Sequence, residues 1–200
     1  MRFYSLYFPN CCNIYFRLPR LQNTLYLTFD DCSNVSLTSE LLDLLNDYNI
    51  SATFFCIGEI LAKNLFLIDK ILKNHTLGNH TFSHYNFLKT DITTYITDIF
   101  RFQSLYKANL FRPPYGVITP SFAKRLKKYD LKVVLWSLMT YDFDVYMNAD
   151  RILKLVYNRS KNGTIIVFHC NDKVKKLLTL IEKTIVFFTD KNFVFDSIKI

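Results

Sequence analysis

The sequence predicts an α/β fold of parallel strands, arranged as a lean or incomplete (β/α) barrel of about seven β/α units. Apolar runs of strand length alternate with segments of helical periodicity along the chain, as expected for parallel strands joined by crossovers. Residues of catalytic types follow several of these runs, which predicts an active site at the C-terminal strand ends. A full eight-unit barrel usually needs about 250 residues, and this chain has 200.

The elements follow from the hydrophobic pattern. The continuously apolar runs indicate strands covered by helices, and they predict strands over residues 25–29, 52–57, 110–112, 131–136, 164–168 and 193–195. Apolar residues at helical spacing predict helices over residues 38–48, 59–73, 91–107, 120–129, 149–159 and 172–188. Residues 77–84 are expected to form a loop that leads into a helical turn.

The length suits one domain, predicted to span residues 1–200, with residues 1–24 as an N-terminal extension or a first strand. The formal net charge of +8 is interpreted as ordinary solubility charge, with attraction to an acidic polymer or a membrane surface as the alternative. The densest basic group, residues 124–128, lacks the glycine and aromatic pattern of a nucleic-acid surface. We expect a monomer with no nucleic-acid partner.

No run of about 18 uncharged apolar residues occurs, so no membrane-spanning helix is expected. Residues 1–20 lack the continuous apolar segment of a secretory signal, which favours a cytoplasmic location without establishing the compartment. The five cysteines form no C-x-x-C pair and are expected to be reduced thiols. They are Cys11, Cys12, Cys32, Cys56 and Cys170.

Two pairs of residues indicate metal chemistry. His80 and His84 would lie on one face of a helical turn, close enough to bind one cation. Asp30 and Asp31 end an apolar strand, so one carboxylate can bind a metal while the other faces a substrate. Each pair alone has a simpler interpretation. Asp30 and Asp31 could be a turn or helix-capping pair, and His80 and His84 could be surface or core histidines. Together they predict metal-assisted hydrolysis.

Three later segments add candidate residues near strand ends. Two prolines follow Arg112 and fix the backbone, so the arginine and the Tyr115 N–H are held at a rigid turn. His169 ends an apolar strand, where a neighbouring carboxylate would shift its pKa across neutrality. Asp142 follows the strand predicted over residues 131–136.

In this order the five segments resemble the motifs of the NodB-type polysaccharide deacetylases, which form carbohydrate esterase family 4. The family's T-F-D-D-G motif matches residues 28–32, except that Cys32 replaces the glycine. Its H-[ST]-x-x-H and R-P-P-Y-G motifs match fully at residues 80–84 and 112–116. The resemblance extends over residues 25–170, which is most of the chain.

The last two motifs match less well. The D-x-x-D-W type motif keeps Asp142, with Met139 where the first acid often stands and Phe143 in place of the tryptophan. The L-x-H-D motif keeps only its histidine, because Cys170 replaces the aspartate. If the turn at the first motif needs a positive φ, the cysteine there would strain it by roughly 1–2 kcal/mol.

The resemblance implies a metal-dependent hydrolase that removes N-acetyl groups from an amino-sugar polymer or oligomer of the peptidoglycan or chitin type. The implied metal is Zn²⁺, with Co²⁺ or Ni²⁺ as alternatives, and its implied ligands are Asp31, His80 and His84. The implied catalytic residues are Asp30 as base, Arg112 as its orienting cation, His169 as acid, Asp142 as the partner of that acid, and Tyr115 as an oxyanion donor through its N–H. The implied substrate-binding residues are Phe143, Phe168 and Pro114.

Three alternatives remain open from the sequence. An O-acetyl esterase acting on a xylan-like glycan would use the same groups. A catalytically silent carbohydrate-binding barrel is supported by the altered last two motifs. A metal-binding protein that uses reduced thiols would rely on Cys32 and Cys170.

Overall fold

The computed structural model describes residues 13–174 and 176–200. The nine strands in these residues are β1 (Ile14–Tyr15), β2 (Thr24–Asp31), β3 (Thr53–Cys56), β4 (Thr76–Asn79), β5 (Leu110–Phe111), β6 (Lys132–Val134), β7 (Leu138–Met139), β8 (Ile165–His169) and β9 (Val194–Phe195). The seven α-helices in the same residues are α1 (Val35–Asp47), α2 (Gly58–Lys63), α3 (Phe66–Leu72), α4 (Ile92–Leu105), α5 (Pro120–Leu126), α6 (Ala149–Arg159) and α7 (Leu177–Thr189). None of these helices is long and apolar enough to cross a bilayer.

The strands form a curled parallel sheet. Its order is β1-β6-β5-β4-β3-β2-β8-β7, and β9 pairs with the start of β2. Helices connect β2, β3, β4, β5 and β6, which are neighbours in both the chain and the sheet. Within the described residues β1 and β7 stand at the two ends of the sheet, so the barrel stays open. The prediction of an incomplete α/β barrel is confirmed.

The central strand β2 separates the helical layer from the barrel interior. Leu25, Leu27 and Phe29 pack in the main apolar core with the helices. Successive residues of a strand face opposite sides, and the alternate residues therefore point inward. Tyr26 joins a small apolar cluster inside the barrel, and Asp30 ends this inward row. The strand thus places a carboxylate at the mouth of the barrel.

The strand β7 was not predicted, several boundaries shift by a few residues, and three other differences from the sequence-based elements are larger. The helix predicted over residues 59–73 is divided into α2 and α3, and the helix predicted over residues 172–188 begins only at Leu177. The third difference affects the candidate site, because residues 77–84 contain most of β4 and a loop. Thr81 and His84 have left-handed backbones, with φ of 61° and 57°, which an α-helix does not allow. The prediction that the histidine pair lies on a helical turn is therefore wrong.

Cys32 and Cys56 form a disulfide that joins the turn after β2 to the end of β3. The expectation of reduced thiols is wrong for this pair, whose members become neighbours only through the pairing of β2 with β3. Cys170 is a free, buried thiol, and Cys11 and Cys12 lie outside the described residues. Since disulfides persist mainly in oxidising compartments, the structure gives the cytoplasmic expectation no support.

We expect reduction of the disulfide to destabilise the fold. The sequence separation of 24 residues between its two cysteines corresponds to roughly 3 kcal/mol of chain entropy in the unfolded state. Urea unfolding of the oxidised protein with and without a thiol reductant measures this loss. The double variant Cys32→Ala/Cys56→Ala should be insensitive to reductant, and Cys170→Ala should keep the wild-type response. Equal free energies of unfolding with and without reductant would show that the bond does not form.

Candidate active site

The polar residues selected from the sequence meet at one end of the barrel. Asp30 and Asp31 end β2, and His169 ends β8. His80 follows β4 directly, and Arg112 follows β5. Parallel strands bring their carboxyl ends to one rim of a barrel, so these side chains gather at one site, called the cleft below, although they are distant in the chain.

Asp31, His80 and His84 form a cluster of three potential metal ligands. The Asp31 Oδ1 atom lies 3.3 Å from His84 Nε2 and 3.8 Å from His80 Nε2, and the candidate ligand atoms all lie within 4.8 Å of one another. Zinc binds nitrogen and oxygen at about 2.0–2.2 Å, which puts tetrahedral ligand atoms roughly 3.4 Å apart. One Asp and two His are therefore a donor set that fits one divalent ion, with a position left for water or substrate.

The His80 ring is oriented for metal binding. Its Nδ1 lies 2.8 Å from the Arg112 carbonyl oxygen. Because a carbonyl only accepts, Nδ1 carries the hydrogen and Nε2 presents its lone pair to the cluster. Burial lowers the pKa of His80 to about 4, against the opposing charges of Asp30 and Asp31. The neutral, metal-binding form therefore predominates at neutral pH.

The Asp31 carboxylate is ionised in the cleft. Burial raises its pKa, but the hydrogen bonds of His84 and Asn171 and the charge of His80 together outweigh burial, and the pKa lies well below its usual range. The backbone of Asp31 is left-handed, with φ of 73°. This conformation interrupts the strand alternation, so both Asp31 and the preceding Asp30 reach the cleft.

Arg112 holds Asp30 from inside the barrel. The arginine is fully buried, and its Nη1 donates to Asp30 Oδ1 at 2.7 Å and to Thr28 Oγ1 at 2.8 Å. Its Nε and Nη2 donate to the carbonyls of Val134 and Leu135 at 3.0 and 3.2 Å. Buried charges are stable only when paired and hydrogen-bonded, and this arginine meets both conditions. The orientation of the Asp30 carboxylate is therefore fixed.

His169 and Asp142 form a second charge pair at the rim. Asp142 accepts two hydrogen bonds, from the His169 backbone N–H at 2.7 Å and from its Nδ1 at 2.8 Å. An ionised carboxylate only accepts, so Nδ1 carries a hydrogen and Nε2 is the ring atom left to exchange a proton. Burial lowers the pKa of His169, but the hydrogen bond and charge of Asp142 outweigh it, and the net pKa is raised. The ring is thus suited to donating a proton near neutrality.

The turn after β5 brings Tyr115 to the cleft. Tyr115 has a left-handed backbone, with φ of 62°, and its ring lies 4.9 Å from the His84 ring. Gly116 has φ of 68°, and a Cβ atom there would lie 2.4 Å from the Trp136 ring, so only glycine fits. Pro114 is buried within the turn. Pro114 therefore shapes the turn. Because its ring is buried, the structure does not support its predicted contact with a substrate.

Of the two phenylalanines predicted to bind substrate, one lies beside the cleft and the other lies in the apolar core. Phe143 is 39% exposed, and its ring lies 4.9 Å from the His169 ring. Phe168 is fully buried in the apolar core with Phe29, on the helical side of the sheet. Because neighbouring strand residues face opposite sides, a strand that points His169 into the cleft turns Phe168 away from it. The predicted role of Phe168 in the pocket wall is wrong.

Neither Cys32 nor Cys170 belongs to the metal cluster. Cys32 is held in the disulfide, and its φ of 54° confirms the positive φ suspected at the motif's glycine position. Burial raises the pKa of the Cys170 thiol to about 12, and its Sγ lies 3.4 Å from the Thr38 hydroxyl. A cysteine binds a metal as its thiolate, so the alternative of a thiol metal site built on Cys32 and Cys170 is wrong.

Left-handed residues other than glycine are concentrated around the cleft. Such a backbone is disfavoured by roughly 1–2 kcal/mol per residue and persists only where its surroundings hold it. Of the eleven such residues in the described part of the chain, six lie at or beside the cleft, with φ between 54° and 73°: Asp31, Cys32, Thr81, His84, Tyr115 and Tyr141. The cleft therefore depends on supporting contacts around it.

Asp98 provides one such contact and was missed by the sequence analysis. This buried residue of α4 accepts the backbone N–H groups of Phe82 and Ser83 on one oxygen, at 3.0 and 2.8 Å. It thereby anchors the loop between the two ligand histidines. A signal was present, because Asp98 lies among the buried apolar residues of α4, where a carboxylate needs a buried partner.

Asn171 was missed as well. Its side-chain amide donates to Asp31 Oδ2 at 2.7 Å. No pattern in the sequence distinguishes this residue from an ordinary loop asparagine, because the contact is set by the pairing of β2 with β8.

The fold and the cleft define a class, namely α/β barrels with a candidate metal centre at the strand ends. The family model described as polysaccharide deacetylase matches residues 18–134. A peptidoglycan-N-acetylglucosamine deacetylase of Bacillus cereus is 33% identical over 150 residues, covering 72% of this chain and 54% of that protein. The chain thus spans about half the length of that relative. The chain belongs to the polysaccharide deacetylase family, and the resemblance to carbohydrate esterase family 4 is confirmed.

Solved structures agree with this assignment. The Bc1960 peptidoglycan N-acetylglucosamine deacetylase superposes with a TM-score of 0.86 at 28% identity, covering 93% of this chain and 91% of that one. BA3943 of Bacillus anthracis, a pseudoenzyme of family CE4, superposes with a TM-score of 0.82 at 20% identity, covering 92% of this chain and 67% of that one. The second likeness establishes the shared fold alone.

We expect Asp98→Leu to weaken metal binding and lower the stability of the fold, because one buried and one partly buried N–H group lose their acceptor. Each unsatisfied donor is worth about 1–3 kcal/mol, so the free energy of unfolding should fall by at least roughly 2 kcal/mol. Asp98→Asn is the matched control, since its amide oxygen can still accept both hydrogen bonds. Urea unfolding and metal titration measure the two effects. Equal losses in both variants would contradict the anchoring role of the acceptor.

Proposed function

We propose that this protein is a metal-dependent deacetylase that removes N-acetyl groups from an amino-sugar polymer or oligomer of the peptidoglycan or chitin type. One observation carries the proposal. The metal-ligand cluster of Asp31, His80 and His84 shares a cleft with the Asp30–Arg112 pair and the His169–Asp142 pair. A metal centre, a base and an acid together can carry out amide hydrolysis, and relatives named as peptidoglycan deacetylases support the substrate class.

The candidate ligands would hold a divalent ion, with Zn²⁺ preferred for this donor set and Co²⁺ or Ni²⁺ as alternatives. When bound, such an ion lowers the pKa of water and polarises a carbonyl oxygen. The protein contributes the orientation of the ligands. His80 is fixed through its Nδ1, and Asp31 is fixed between His84 and Asn171.

Asp30 is proposed as the general base. Its carboxylate is buried at the inner wall of the cleft, and Arg112 binds its Oδ1 atom. Asp30 and the ligand Asp31 are consecutive residues, so the base stands beside the metal centre. A carboxylate fixed there can accept the proton of the attacking water as the C–O bond forms.

His169 is proposed as the general acid. It is paired with Asp30 across β2 and β8, so acid and base lie at the same level of the rim. Asp142 keeps the Nδ1 side occupied, and Nε2 can give its proton to the amine of the sugar as the C–N bond breaks. The raised pKa of His169 supports this role.

Tyr115 and Phe143 are proposed to contact the acyl group. The left-handed turn at Tyr115 holds this residue at the cleft, with its ring beside the His84 ring, and its N–H is proposed to donate to the oxygen of the attacked carbonyl. One such donor is typically worth about 10²–10³ in rate. Phe143, beside His169, offers an apolar wall for the acetyl methyl group.

Two other functions would use the same cleft. The same residues would serve an ester, so an O-acetyl esterase acting on a xylan-like glycan is a second candidate. The altered motif positions Phe143 and Cys170 favour a silent glycan-binding barrel as a third.

The first prediction of the proposal concerns acetate release. Metal-loaded protein should release acetate from N-acetylglucosamine oligomers or peptidoglycan fragments, and a chelator should abolish the release. Added Zn²⁺ should restore the wild type but not His80→Ala, which lacks a ligand. Acetate is measured in parallel on acetylated xylan oligomers. Release from xylan alone would favour the esterase, and glycan binding without any acetate release would favour the silent barrel.

The second prediction concerns pH. Asp142 raises the pKa of His169, so Asp142→Asn should lower that pKa and deprotonate the acid at lower pH. The basic limb of the kcat/KM profile should therefore move to lower pH, with reduced activity at neutrality. Asp144→Asn is a matched control that removes a nearby carboxylate without touching His169. An unmoved basic limb in Asp142→Asn would exclude His169 as the general acid.

A further inference from the structure

The two carboxylate oxygens of Asp31 have different partners. Oδ1 faces the histidines, 3.3 Å from His84 Nε2 and 3.8 Å from His80 Nε2. Oδ2 accepts a hydrogen bond of 2.7 Å from the side-chain amide of Asn171. The carboxylate therefore presents a single oxygen to the candidate metal position.

The amide of Asn171 is fixed from its other end. Its Oδ1 accepts the backbone N–H of Lys173 at 3.0 Å, so Nδ2 is the atom that faces Asp31. The segment is tied to β2, because the Cys170 N–H donates to the Asp30 carbonyl at 3.0 Å. These contacts hold the donor in place independently of any ion.

The chemistry of an amide suits this position. An amide donor is neutral, so it orients the carboxylate without the charge neutralisation that a lysine or arginine would cause. Hydrogen bonds to ligating carboxylates set their orientation, and losing them typically costs about 10–100-fold in metal affinity. Cys170, at the motif's acidic position, is buried against Thr38. The hydrogen bond to Asp31 comes from the next residue, Asn171.

We propose that Asn171 is a positioning residue that holds Asp31 as a one-oxygen metal ligand. The inference rests on the metal centre of the proposed function. It assigns to Asn171 control over metal affinity and over the ligand geometry, while the proton transfers remain with Asp30 and His169.

The test compares Asn171→Ala and Asn171→Leu with the wild type. Dissociation constants for Zn²⁺ are measured by competition with a chromophoric chelator, and the visible spectrum of the Co²⁺-loaded protein reports the ligand geometry. Both variants should bind Zn²⁺ about 10–100-fold more weakly. Their Co²⁺ spectra should differ from the wild type, because Oδ2 of Asp31 becomes free to approach the metal. Lys173→Ala is the matched control, since it keeps the backbone N–H that orients Asn171.

Two outcomes would overturn the inference in distinguishable ways. Wild-type affinity and an unchanged Co²⁺ spectrum in both variants would overturn the role of Asn171 alone. A wild-type protein that binds neither metal would overturn the metal centre of the proposed function and this inference with it. Thermal unfolding of the metal-free proteins separates these effects from misfolding. If Asn171→Ala does not fold, the near-isosteric Asn171→Leu decides the question.

Discussion

The architecture of the cleft depends on the buried guanidinium of Arg112. It follows β5, yet it binds Asp30 and Thr28 of β2 and two carbonyls at the end of β6. These strands are not all neighbours in the sheet, so the side chain connects positions that no backbone ladder joins. It also lies 4.1 Å from the centre of the Phe55 ring. In an open barrel these contacts connect the strands from the inside, just below the cleft. An unpaired charge at this buried position would be strongly unfavourable.

Around this ion pair, several candidate site residues have left-handed backbones, which are unfavourable for residues other than glycine. Asp31 and His84, two of the three candidate ligands, are left-handed, and so is Tyr115. The contacts that stabilise these backbones come from outside the cleft. The disulfide at Cys32 fastens the turn after β2, and Asp98 satisfies the backbone of the histidine loop. The site is thus a strained arrangement at the strand ends that a well-packed sheet and a few buried polar contacts hold in place.

The sequence predicted most of the fold because its signal is local. Continuous apolar runs indicated the strands, and helical spacing indicated the helices, with errors mainly at boundaries. It also predicted the members of the metal cluster, since Asp31, His80 and His84 do converge. The errors arose where a local pattern was extended too far. The four-residue spacing of the histidines resembles a helix, although a loop with two left-handed residues, Thr81 and His84, brings them together.

Residue types and their periodicity therefore determined the fold class and the strands that end in polar residues, and the resemblance to the family's motifs supplied the identity of the candidate ligands. The tertiary structure decided which side of the sheet each neighbour faces, and so removed Phe168 from the cleft while keeping His169 in it. It also decided the disulfide and the contact of Asn171 with Asp31. The physical reason is that these features depend on the register between strands far apart in the chain and on left-handed turns. Neither leaves a periodic trace in the sequence.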